Sequence, residues 1–141
     1  MTCDPAWPVL ADRCWHTVTR SGLPRRIRPG FWDNNGRCCG TAGVLALACD
    51  RHAEAHGDLT FATKLVGDLA ARAIADQAGV RWANEEHRVT PSMLQPRTGW
   101  AMGNAGIIRE LLRFSRATAG ADPSYAVTWP DHQPAGPTPG L

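Results

Sequence analysis

One five-residue pattern occurs twice in this chain and limits what it can fold into. Gly40-Thr41-Ala42-Gly43-Val44 is matched 63 residues later by Gly103-Asn104-Ala105-Gly106-Ile107. Each copy follows a loop that contains tryptophan, Trp32 before the first and Trp100 before the second, and each leads into an apolar stretch. A unit that recurs at such a period predicts stacked helical hairpins, because one hairpin cannot bury its own apolar face. The glycines suit a helix start where another backbone approaches closely, since they carry no side chain to obstruct it.

The rest of the chain reads as helices separated by breaks. Leu10, Cys14 and Val18 share one helix face, so Pro8 to Arg20 is predicted helical, ending at Ser21-Gly22. Pro24 to Arg37 carries Pro29-Gly30 and Asn34-Asn35-Gly36 and reads as a loop, with Phe31 and Trp32 anchoring it to the core. Gly43 to His56 is a helix of small apolar residues, and Gly57-Asp58 breaks it. Phe61, Leu65 and Leu69 then recur every four residues with Val66, Ala70 and Ile74 beside them, which predicts an amphipathic helix over Leu59 to Asp76. So short a break makes these two helices an antiparallel hairpin. Gly79 to Gly103 is a long connection with Pro91 and Pro96, in which Trp82 and Trp100 argue against simple disorder. A last helix spans Asn104 to Thr118, with Gly120 just past its end. The division is thus a helical body over 1–120 and a Pro-rich tail over 121–141, the tail holding five prolines and two glycines.

Fifteen basic and 13 acidic residues leave a net charge of +2, too little to point to nucleic acid or a membrane surface. Arg25, Arg26 and Arg28 form a short basic cluster that reads as a solvated loop. The longest apolar run, Val44 to Cys49, is far short of the roughly 20 residues a bilayer requires. Asp4 and two prolines stand where a signal peptide would carry its charged start and apolar run. The expectation is a cytoplasmic protein with no membrane partner and no nucleic-acid partner. In that reducing compartment an odd number of cysteines, five, points away from a disulfide framework and toward metal, reactive thiols or buried thiols.

Cys38 and Cys39 are the residues that stand out. They lie side by side at the end of a loop and immediately before a helix. The free N–H groups and partial positive charge of a helix N-terminus favour thiolate, the form that binds zinc or attacks an electrophile. Two ligands do not complete a zinc site, which takes four, or three and an exchangeable one. Read from the residues alone, the pair fits a metal site, a redox thiol pair, or one buried thiol beside an incidental one. His52 and His56 stand four apart on a helix but lack the glutamate of a metalloprotease helix. His87, in Glu85-Glu86-His87-Arg88, reads as a polar loop residue or a substrate contact. Cys49 reads as a small core residue, and Asp33 as a residue that orients or caps its loop.

Two stretches in combination resemble the LanC-like proteins, relatives of the zinc-dependent lanthionine cyclases. Gly36-Arg37-Cys38-Cys39-Gly40-Thr41-Ala42-Gly43 is similar to the family's Cys-His-Gly zinc motif in its Cys-Cys-Gly form. Trp100-Ala101-Met102-Gly103-Asn104-Ala105-Gly106-Ile107-Ile108 is similar to its last glycine-rich helix start. The likeness runs from Gly22 to Gly120 and weakly into Trp129-Pro130-Asp131. It implies an all-α fold, an arc of an α/α toroid built from helical hairpins. It implies a bound zinc ion with Cys38 and Cys39 as ligands, and a peptide substrate whose cysteine thiol is added to a dehydrated serine or threonine. The family's third ligand belongs to an upstream Trp-Cys-x-Gly segment, a setting that neither Cys3 nor Cys14 has. The proton-transfer residues also lie upstream in the family, so the catalytic residues are unknown here. The resemblance therefore implies a missing upstream segment or self-association. Two other readings stay open: a helical interaction module that keeps the fold without activity, and a redox protein that uses Cys38-Cys39.

Overall fold

Both repeated segments open helices, and the two helices lie against each other. The computed structural model describes residues 6–25, 30, 32–55 and 57–121. Four helices, α1 (Ala6–Arg20), α2 (Thr41–Ala55), α3 (Thr60–Ala71) and α4 (Asn104–Thr118), make up most of it. The central helix α2 packs against both α3 and α4. Its small residues permit this: Ala42, Ala48 and Cys49 are buried together with Val44 and Leu45, so two neighbours can approach at once. From α3 come Leu65 and Leu69, at the four-residue spacing seen in the sequence, and Ala62, with Phe61 partly buried beside them, and from α4 comes Ile107. Complete burial of Leu45, Leu65 and Leu69 is worth roughly 1.5–3 kcal/mol each. The predicted hairpin of α2 and α3 is present, joined by a break in which the Asp58 carboxylate accepts the Thr60 amide at 2.8 Å.

The first helix is attached by one edge. No residue of α1 is fully buried. Trp15 meets Phe61 of α3 edge to face, with ring centroids 5.6 Å apart, and Val18 packs beside it. Asp12 pairs with Arg51 of α2 at 2.5 Å.

The architecture departs from an all-α chain between residues 72 and 96. Helix α3 ends at Ala71, five residues before the expected Asp76. Ile74–Asp76 is instead a strand, β1, paired antiparallel with Gly79–Arg81, β2. The cause is turn chemistry. The Asp76 carboxylate accepts the Ala78 amide at 2.8 Å, and Gly79 takes a φ of +119°, which few residues other than glycine tolerate. Asp76 also pairs with Arg81 at 2.5 Å across the ribbon. A second ribbon pairs β3 (Asn84–Glu85) with β4 (Met93–Leu94), so the long connection is structured. Trp82 lies between the ribbons, buried in the core, and its indole N–H donates to the Leu69 carbonyl at 2.7 Å. The fold is therefore mainly helical, with two short β-ribbons. Among the described residues no helix is long and apolar enough to cross a membrane. Phe31 and the tail beyond residue 121, for which the sequence made predictions, lie outside the described residues, and so do Cys3, Arg26, Arg28 and His56.

Candidate functional site

The repeat extends further in space than in sequence. Before α2, the amides of Thr41 and Ala42 donate to the carbonyls of Asn34 and Asn35 at 3.1 and 3.2 Å. Before α4, the amides of Asn104 and Ala105 donate to Arg97 and Thr98 at 2.8 and 3.3 Å, the same four positions moved on by 63. Each loop thus folds back over its own helix and satisfies two of the N–H groups that a helix N-terminus leaves free. The glycines make this closure possible. A Cβ on Gly43 would collide with the Arg37 carbonyl, and one on Gly106 with the equivalent Trp100 carbonyl, both well inside the 3.0 Å that real Cβ atoms respect.

The two loops then meet each other, which places both glycine-rich helix starts at the same end. The Cys38 amide donates to the Ala101 carbonyl at 2.8 Å, and the Cys39 thiol contacts the Met102 thioether at 3.2 Å. Ala101 and Met102 are the repeat equivalents of Cys38 and Cys39. Asn84, buried on β3, locks the junction. Its carbonyl oxygen accepts the amides of Asn35 and Gly36 at 2.9 and 3.2 Å, and its amide nitrogen donates to the Met102 carbonyl. Asn35 returns a bond to the Ala83 carbonyl at 2.5 Å, and Asn34 accepts the Glu85 amide at 2.8 Å. Nothing in the sequence singles out Asn84, and Met102 stands there only as one member of the second glycine-rich stretch. Only the match between Met102 and Cys39 in the repeat could have signalled the latter.

On this frame both thiols are exposed, side by side at the mouth of α2. Partial burial pushes the Cys39 thiol above its ordinary pKa, and the neighbouring Cys38 adds to the shift through its charge and a hydrogen bond. The Glu86 carboxylate acts in the same direction. That carboxylate is itself held ionised, its pKa lowered to about 2 by hydrogen bonds from Arg88. At Cys39, burial and these neighbouring groups act against the pull toward thiolate expected of the helix N-terminus. Cys49 is buried as expected, and burial raises its pKa to about 11. Cys14 is exposed on α1.

His87 and Asp33 pair across the rim of the loop, and the Gly30 amide donates to the Asp33 carboxylate at 2.6 Å. Asp33 therefore orders its loop, and His87 joins that loop to the ribbon segment. His52 does something local: its Nδ1 lies 2.5 Å from the Gly57 carbonyl in the break after α2, so the ring ties that break to the last turn of the helix. Behind the loops sits a buried charged cluster that the sequence did not announce. Glu110 is fully buried, with Arg37 at 2.7 Å and Arg109 at 2.6 Å. The guanidinium groups of both arginines stack on Trp100, 5.4 and 5.3 Å from its ring centre.

Among the described residues there is no group of three or more His, Cys, Asp or Glu side chains placed to hold a metal ion. The donor set at the mouth of α2 is two adjacent exposed thiols, which fits a zinc ion as two of its four ligands. Compared with family models, with curated proteins and with solved structures, the chain finds no match in any of the three.

Proposed function

We propose that this chain is the C-terminal part of a LanC-like α/α toroid and that Cys38 and Cys39 are two ligands of its zinc centre. The observation that carries the reading is the placement of both thiols on a loop locked against its own repeat equivalent. Such a loop presents two sulfur donors in a fixed position with little ordering left to do on binding. Zinc bound there supplies the charge that keeps a substrate thiol in its nucleophilic thiolate form. Both cysteines must release their protons to act as ligands, and Cys39 gives up its proton reluctantly. Metal affinity therefore rises with pH. The substrate is a peptide cysteine that adds to a dehydrated serine or threonine, and the third protein ligand and the proton-transfer groups come from another segment.

Elemental analysis tests this. The chain alone is expected to lose zinc on dialysis. Joined to the segment encoded upstream, it is expected to hold one zinc per chain, lost in Cys38→Ser and in Cys39→Ser. One tightly held zinc on the chain alone would show that its own residues complete the site. Absence of zinc from the extended protein would remove the reading altogether.

A further inference from the structure

We propose that Cys38, Cys39 and Met102 form a three-sulfur site that takes a soft monovalent metal ion, Cu(I), on this chain alone. Two thiols and a thioether meet where the two loops close. The Cys39 sulfur lies 3.2 Å from the Met102 sulfur. The Cys38 thiol is within hydrogen-bonding reach of Cys39. Both thiols are exposed and Met102 is half-buried, so an ion can reach the three sulfurs from solvent. Among the described residues no His, Asp or Glu joins the two thiols in a metal-holding group, and the thioether takes that place. The repeat accounts for the meeting. Met102 is the equivalent of Cys39 at the 63-residue offset, so sulfur residues hold matching positions on two loops that touch. Backbone contacts fix the approach. The Cys38 amide donates to the Ala101 carbonyl at 2.8 Å, and the Asn84 amide nitrogen holds the Met102 carbonyl. A Cβ on Gly36 would come within 3.0 Å of the Met102 Cα, so only glycine lets the loops lie so close. Met102 therefore stands at the thiols before any ion arrives, and little ordering cost remains.

The donor set selects the ion. Zinc is held by thiolate, imidazole or carboxylate, and a thioether is not among its usual ligands. Thioether and thiolate together are soft donors that suit Cu(I). The inference uses the two cysteines of the zinc reading, but it needs neither the upstream segment nor a peptide substrate. Binding is coordination without electron transfer. Cys38 and Cys39 each release a proton to solvent, three copper–sulfur bonds form, and the copper stays monovalent. Metal–sulfur bonds of about 2.3 Å in a flat three-sulfur arrangement set the sulfurs about 4 Å apart, so Cys39 and Met102 part by roughly 0.8 Å on binding. Rotation of an exposed thiol and of the flexible methionine chain supplies that movement.

The test is titration of the full reduced chain under nitrogen with Cu(I) supplied as its bicinchoninate complex, followed by X-ray absorption at the copper edge. The expected result is one Cu(I) per chain with three sulfur neighbours. Met102→Leu conserves volume and is expected to keep the fold, which circular dichroism checks. It should leave two sulfur neighbours and weaken binding by roughly tenfold or more. Cys38→Ser and Cys39→Ser should each abolish competition with bicinchoninate. Met102→Gln replaces Met102→Leu if that variant does not fold, and the absorption measurement on the wild-type chain requires no variant at all. Two sulfur neighbours in the wild-type complex overturn the proposal. So does unchanged affinity in a folded Met102 variant, and so does a wild-type chain that binds Cu(I) no better than Cys39→Ser. Met102→Leu is expected to leave the zinc content of the extended protein unchanged. Failure here therefore leaves the zinc reading standing, and absence of zinc from the extended protein leaves this site standing.

Discussion

Gly106→Ala puts the closure of the two loops to a quantitative test. Gly106 lies in the first turn of α4, is buried, and faces the Trp100 carbonyl. The Cβ of alanine would fall on that oxygen, and it would also come within 3.1 Å of the Arg37 Cβ. The obstructing atom is backbone, so the loop has to move. Overpacking of this kind costs about 1–3 kcal/mol. Displacing the loop also weakens the bonds from Asn104 to Arg97 and from Ala105 to Thr98, each worth about 1 kcal/mol. Against this, alanine in a helix gains about 1 kcal/mol over glycine. The balance is a loss of about 2 kcal/mol. Gly43→Ala, which meets the Arg37 carbonyl in the equivalent place, is expected to behave alike. Gly67→Ala on the exposed face of α3 meets nothing within 4 Å and is expected to gain ~0.5–1 kcal/mol. Urea unfolding followed by far-UV circular dichroism separates the signs. If Gly106→Ala is as stable as Gly67→Ala, the close approach that defines the loop geometry does not exist.

Asn84→Ala removes the bonds to Asn35, Gly36 and Met102 and leaves their backbone groups unpaired in the interior. A loss of about 3 kcal/mol is expected in urea unfolding, with faster reaction of Cys38 and Cys39 with Ellman's reagent. Stability should fall as pH rises from 9.0 toward about 11, because the unfolded chain ionises Cys49 before the folded one does. The sign follows from proton counts, since the folded state holds the extra proton across that window, and Cys49→Ala should flatten the curve in unfolding titrations at several pH values. Alkylation of Cys39 should be slow at neutral pH and accelerate with alkali, burial being the main restraint. Cys38→Ser should move that profile to lower pH, and peptide mapping of the modified thiol would show an unchanged profile if the neighbour has no influence.

Local signals decided much of this chain. The helical spacing and the glycine beyond its end set α4 at Asn104–Thr118, as the structure has it. The four-residue recurrence of Leu65 and Leu69 picked out a buried face correctly, because burial follows directly from helical period. The repeat foretold two like helix starts, and the adjacency of Cys38 and Cys39 needed no fold at all. The end of α3 was misplaced because an aspartate turn and a glycine with positive φ competed with a helical pattern that still ran through Ile74. What only the tertiary structure settled is separated along the chain. Asn84 reaches back 49 residues to Asn35, Cys39 meets Met102 63 residues on, and Arg37 meets Glu110 across 73. The pKa of Cys39 belongs to the same class. A helix N-terminus is visible in a sequence, but the burial and the neighbouring groups that raise this thiol's pKa come into being only when the two loops close on each other.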